Sequence, residues 1–189
     1  MRRGTNRSVL PTLLPALLAL LVASLACGGS LPQVQPPDPE ATVTPKPVGS
    51  ARSNPAPFGY VVTYEQMTFQ VTGLIRPADD LVRQGNLFNR QAEAGSEYAF
   101  VQVAVTCLRG ADETCALHEV EFGLVGSAGL DHEVVLFLAG VDGLLRGGDL
   151  YGGATNTGYL AFILGQEETD LILIYEPLLG DAIYMSIEP

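Results

Sequence analysis

Few side chains in this 189-residue sequence have chemistry to offer: three cysteines, two histidines, a serine between glycines and several carboxylate groups. Cys27 closes an apolar run over residues 9–26, and Arg2, Arg3 and Arg7 precede that run. A cationic start, a hydrophobic stretch, small residues and then a cysteine form the order of a bacterial lipoprotein signal, in which the thiol is lipidated. Ser24, Leu25 and Ala26 depart from the usual spelling, where leucine comes third before the cysteine and a small residue second. The same residues suit an ordinary signal peptidase, which wants small side chains one and three places before the cut. Pro11 and Pro15 leave about a dozen uninterrupted residues, short of the roughly 20 that a spanning helix needs. An uncleaved anchor is therefore disfavoured.

An odd cysteine count in an exported chain needs an explanation, and lipidation of Cys27 supplies one by leaving Cys107 and Cys115 to pair. Residues 108–114 between them contain Arg109, Gly110, Ala111 and Asp112, a turn-like segment flanked by strand-like runs. A disulfide across the end of a hairpin is sterically natural there. Closing so short a loop stabilises the fold by at most about 2.5 kcal/mol in the chain-entropy account. With no second Cys or His cluster nearby, the alternative of a metal or redox pair has little support.

The remaining candidates read mainly as structure. Gly126-Ser127-Ala128-Gly129 is superficially a serine elbow, but Val125 stands where that motif needs glycine and no alternating β/α framework surrounds it. A tight turn is expected. His118 shares strand parity with Val120, Phe122 and Leu124, which predicts a partly buried ring, whereas His132 between Asp131 and Glu133 predicts an exposed strand start. A metal site joining the two has no support in their spacing, so no metal and no cofactor is expected. Glu167, Glu168 and Asp170, and separately Asp112 and Glu113, lack the alternating acidic and glycine grammar of a calcium loop and read as solvated turns. Arg146-Gly147-Gly148-Asp149 and Gly152-Gly153 lack the lysine and hydroxyl residue of a phosphate cradle and predict a mobile connection.

The chain beyond the signal must position these residues. All 21 acidic residues lie beyond Cys27 together with seven basic ones, giving the exported portion a net charge of −14. Such a surface repels phosphate backbones and anionic headgroups, which weighs against nucleic-acid partners and electrostatic membrane docking. Residues 28–56 hold seven prolines and no aromatic residue, the composition of an extended, disordered tether. The expected organisation is a signal peptide over residues 1–26, a lipidated cysteine and tether over residues 27–56, and one domain over residues 57–189.

Within that domain, period-two alternation predicts strands. Met67, Phe69 and Val71 alternate with Thr68, Gln70 and Thr72, and Val101, Val103 and Val105 with Gln102 and Thr106. Further strands are expected over residues 59–64, 117–124, 134–138, 158–164, 171–175 and 182–187, and one short helix over residues 77–86. Seven or eight short strands without intervening amphipathic helices predict an all-β, antiparallel β-sandwich.

The run Tyr98-Ala99-Phe100-Val101-Gln102-Val103-Ala104-Val105-Thr106, then Phe122-Gly123-Leu124 with Gly129, then Gly152-Gly153 and Thr157-Gly158-Tyr159-Leu160-Ala161-Phe162, resembles the telokin-like immunoglobulin domain of unknown function found in many bacterial lipoproteins. The match covers about residues 58–188. It departs where that family carries an asparagine-containing loop, since Cys107 to Cys115 takes its place. The resemblance implies an immunoglobulin-like exported sandwich, often lipid-tethered, with no catalytic residues to carry over. The expected role is a noncatalytic module anchored by lipid at the extracytoplasmic face of the cell membrane, binding an envelope protein, a glycan or a small ligand through a sheet face or loops. A structural spacer or assembly subunit is the second reading, and a metal-assisted hydrolase a remote third.

Overall fold

The computed structural model describes residues 46–188; the signal segment, Cys27 and most of the proline-rich segment lie outside the described residues. The first sheet contains β1 (Val61–Tyr64), β2 (Met67–Ile75), β3 (Ser96–Cys107) and β8 (Thr155–Gly165), in the order β1-β2-β3-β8. The second has the order β10-β9-β5-β6, with β5 (Phe122–Val125), β6 (Asp131–Glu133), β9 (Ile172–Tyr175) and β10 (Ile183–Ser186). A small ribbon pairs β4 (Thr114–Leu117) with β7 (Gly148–Tyr151). The strand ladders are antiparallel. The β-sandwich expected from the alternation is thus the observed architecture.

β3 is the spine of the first sheet, with register running from Met67↔Cys107 to Ile75↔Phe100 against β2 and from Ser96↔Gly165 to Thr106↔Thr155 against β8. Its β-branched residues suit a pleated surface. Ala99, Val101, Val103 and Val105 face the second sheet and meet Leu124, Leu173 and Met185 in the main core. At its centre the Tyr175 ring lies 4.4 Å from Phe69 and 5.1 Å from Phe122.

The opposite face of β3 is also covered near its start. Tyr98 and Phe100 are fully buried in a second, smaller core with Ala78, Val82, Leu138 and Ala161. The cover comes from α1 (Asp79–Gly85), within the segment expected to be helical, and from the irregular chain after β6. That chain lies against β8 so closely that a Cβ on Gly158 would come 2.5 Å from the Leu145 nitrogen. Only a residue without a side chain fits there.

Three local expectations are corrected. Residues 117–124 are not one strand, because Leu117 ends β4 while Phe122 begins β5 in another sheet, and a 3₁₀ turn at Glu119–Glu121 carries the chain between them. Residues 134–138 form no ladder; Val135 gives one backbone bond to the Ala161 carbonyl at 2.8 Å and the segment serves as cover. Gly148 and Asp149, expected in a mobile connection, are instead paired in β7 with Leu117 and Ala116.

Residues 49–56, at the end of the segment read as tether, are fastened to the outer edge of β10. The Tyr184 amide donates to the Gly49 carbonyl, the Ala56 amide to the Tyr184 carbonyl and the Ser186 amide to the Ala56 carbonyl, each at 2.8 Å. This cover satisfies backbone groups that an open edge would leave unpaired.

Candidate functional site

Cys107 ends β3 and Cys115 lies in β4, and their sulfurs are 2.06 Å apart with Cα atoms 5.7 Å apart. The expected hairpin is not formed, because β3 pairs with β2 and β8 while β4 pairs with β7 in a separate ribbon, yet the turn between them still brings the two sulfurs to bonding distance. Asp112 and Glu113 lie on the connecting turn, where the Glu113 carboxylate accepts the Gly110 amide at 3.1 Å.

The histidines exchange the environments expected of them. His118 is exposed, because the 3₁₀ turn breaks the parity that would have placed it with Phe122 and Leu124. Parity is broken visibly at Val120, which is 67% exposed. His132 is largely buried, its Nε2 lying 2.8 Å from a Glu168 carboxylate oxygen. Glu168, expected in a solvated turn, is 7% exposed. A short strand, β6, and the turn between β8 and β9 converge here from different parts of the chain, which spacing cannot show.

Arg76, just past the end of β2, explains how that turn is held. Its guanidinium pairs with Glu97 and donates to the carbonyls of Glu168, Gly165 and Gln166 at 2.5, 2.8 and 3.0 Å. Buried charges are tolerated when paired and hydrogen-bonded in this manner. Ser127 contributes similarly: its hydroxyl accepts the Thr169 amide at 3.1 Å, and its own amide donates to the Thr169 carbonyl at 2.7 Å. The serine, histidine and carboxylate at this end are thus engaged in fixing the β5–β6 and β8–β9 turns.

A concave surface lies elsewhere, on the face of the second sheet turned away from the core. Across this face the register places Glu133, Gly123, Ile174 and Tyr184 side by side. Because Gly123 has no side chain, the row dips there, and the Asp131 carboxylate folds over it; a Cβ on Gly123 would come 2.7 Å from that oxygen. The result is a groove of about 610 Å³. Its acidic members are Glu121, Asp131, Glu133 and Glu176, and its apolar lining includes Val120, Leu136, Ile174 and Leu178. Leu178 is 91% exposed on the turn between β9 and β10. Burial, and after it the neighbouring Glu121 carboxylate, push the Tyr175 hydroxyl well above its ordinary value, so it stays protonated beneath this rim.

Sequence reading passed over this groove. Its one available signal was Ile172-Leu173-Ile174-Tyr175, an apolar run where a strand with one solvated face would alternate. Among the described residues no group of three or more histidine, cysteine or acidic side chains is arranged to hold a metal ion.

No protein-family profile and no curated protein matches the chain. Solved structures do resemble it. The yjhA protein from Bacillus subtilis aligns with TM-score 0.51 and 15% identity over 70% of this chain and 99% of that one. A secreted protein from Mycobacterium tuberculosis, MPT63, aligns with TM-score 0.52 and 14% identity over 70% and 97%. A candidate lipoprotein from Bacillus subtilis, ycdA, aligns with TM-score 0.51 and 12% identity over 68% of this chain and 38% of that one. At such identities the likeness concerns the fold: this chain is similar to bacterial β-sandwich proteins. Among the described residues no helix is long and apolar enough to cross a membrane.

Proposed function

We propose that this chain is a noncatalytic, lipid-anchored module of the cell envelope, held at the extracytoplasmic face through Cys27 and presenting its sandwich to a protein or glycan partner. The groove on the second sheet is the observation that carries the reading, because a rigid sheet displaying a concave, part-apolar, part-acidic surface fits recognition. The signal order around Cys27, the resemblance to the telokin-like immunoglobulin domain, and the naming of two fold neighbours as a secreted protein and a candidate lipoprotein support export and tethering. The engagement of His132, Glu168 and Ser127 in bonds between turns supports a binding role over a hydrolytic one. A Cys107–Cys115 disulfide belongs to the same reading, since it would form on export into an oxidising space.

Anchoring is tested by Cys27→Ser in the full-length protein. The expected result is loss of the lipid mass from the amino terminus and movement from the membrane fraction to a soluble or unprocessed form. An unchanged mass and unchanged membrane association would remove Cys27 from the account.

A further inference from the structure

The groove on the second sheet has a partner chemistry written into it. Glu121, Asp131, Glu133 and Glu176 line it, no Lys or Arg does, and none of the four joins an ion pair among the described residues. The Glu176 amide donates to the Glu121 carbonyl at 2.8 Å, so these two glutamates stand on neighbouring backbone segments. Like charges set beside one another on a sheet oppose folding, and no cation in the groove offsets them. On the apolar side of the groove Val120 and Leu178 project into solvent, and Ile174 is partly exposed.

We propose that this groove is the docking site for an extended segment of a partner protein that alternates Lys or Arg with aliphatic residues. The inference rests on the interaction-module reading and names its partner class. Cationic side chains would meet the four carboxylates while aliphatic ones cover Ile174, Val120 and Leu178, so each half of the groove finds its complement. A second copy of this chain carries the same negative field and is repelled, as is an anionic lipid surface. A lone divalent cation would leave the apolar side uncovered.

The test uses the full-length chain in phosphatidylcholine nanodiscs, with empty nanodiscs as blank, and three labelled hexapeptides: Lys-Val-Lys-Val-Lys-Val, Glu-Val-Glu-Val-Glu-Val and hexalysine. The Lys-Val peptide should bind at least tenfold more tightly than either of the others, with affinity falling as salt rises. Joint replacement Glu121→Gln, Asp131→Asn, Glu133→Gln and Glu176→Gln should weaken it at least tenfold. The charge-matched set Glu65→Gln, Asp112→Asn, Asp142→Asn and Asp149→Asn should weaken it less than threefold. Leu178→Asn, at a side chain 91% exposed, should weaken the Lys-Val peptide and leave hexalysine unchanged. Equal losses in the two charge sets, equal binding of hexalysine, or no binding of the Lys-Val peptide would each overturn the proposal. None of these outcomes bears on anchoring, which the Cys27→Ser fractionation decides separately.

Discussion

The two sheets of this sandwich turn very different outer faces to their surroundings. Near the start of β3 the outer face of the first sheet is sealed, with Tyr98 and Phe100 buried under Val82 and Leu138. On the second sheet Ile172 and Ile174 point outward with no layer over them, and glycine and carboxylates complete the surface. Both strands carry unbroken apolar runs, so the runs alone do not distinguish them. What separates them is whether the chain supplies its own cover: α1 and the segment after β6 return to the first sheet, and nothing among the described residues seals the groove on the second. An apolar run that the protein leaves uncovered is a place for something else to bind.

Phe100→Ala should break the sealed face, costing about 3–5 kcal/mol through lost burial and the cavity left behind. Urea unfolding monitored by circular dichroism would show it, and a loss under about 1 kcal/mol would mean that the second core contributes little. Replacing both Cys107 and Cys115 by serine should cost up to about 2.5 kcal/mol by freeing the loop between them in the unfolded chain. Reduction of the wild-type protein should lower its urea midpoint to the same value if the bond is formed. On the open face, Ile174→Thr should cost less than about 1 kcal/mol, because a half-covered side chain has less to lose. A cost equal to that of Phe100→Ala would show the two faces to be energetically alike.

The smallest effect at neutral pH becomes visible in alkali. Tyr175 has its folded-state pKa raised above the ordinary value of 10.0, by burial first and the Glu121 charge second. Its contribution to stability is therefore complete below pH 10 and is lost as the pH rises above 10, where the unfolded chain releases the proton more readily. Thermal unfolding between about pH 9 and 11 should show a falling midpoint, and Tyr175→Phe should flatten part of that fall. An identical slope in the variant would mean that another group governs it.

Much of the sandwich was legible because period-two alternation and β-branched residues specify strands locally, as in Met67 to Val71 and Val101 to Val105. The His118 environment was not, since parity counting assumes an unbroken strand and cannot see that Leu117 and Phe122 belong to different sheets. His132 and Glu168 lie 36 residues apart, and their meeting depends on the packing of the β5–β6 hairpin against the β8–β9 turn. The fastening of residues 49–56 is of the same kind: proline content says little about a strand edge far along the chain, at Tyr184 and Ser186, that offers free backbone groups.

By itself the sequence determined an all-β sandwich, through side-chain alternation, and the closeness of Cys107 and Cys115, through a connecting loop short enough to close. Tertiary structure alone decided which apolar runs are sealed and which stay open, and which acidic residues gather around Gly123. Those outcomes depend on which distant segments come to lie on a face, and local pattern carries no record of that.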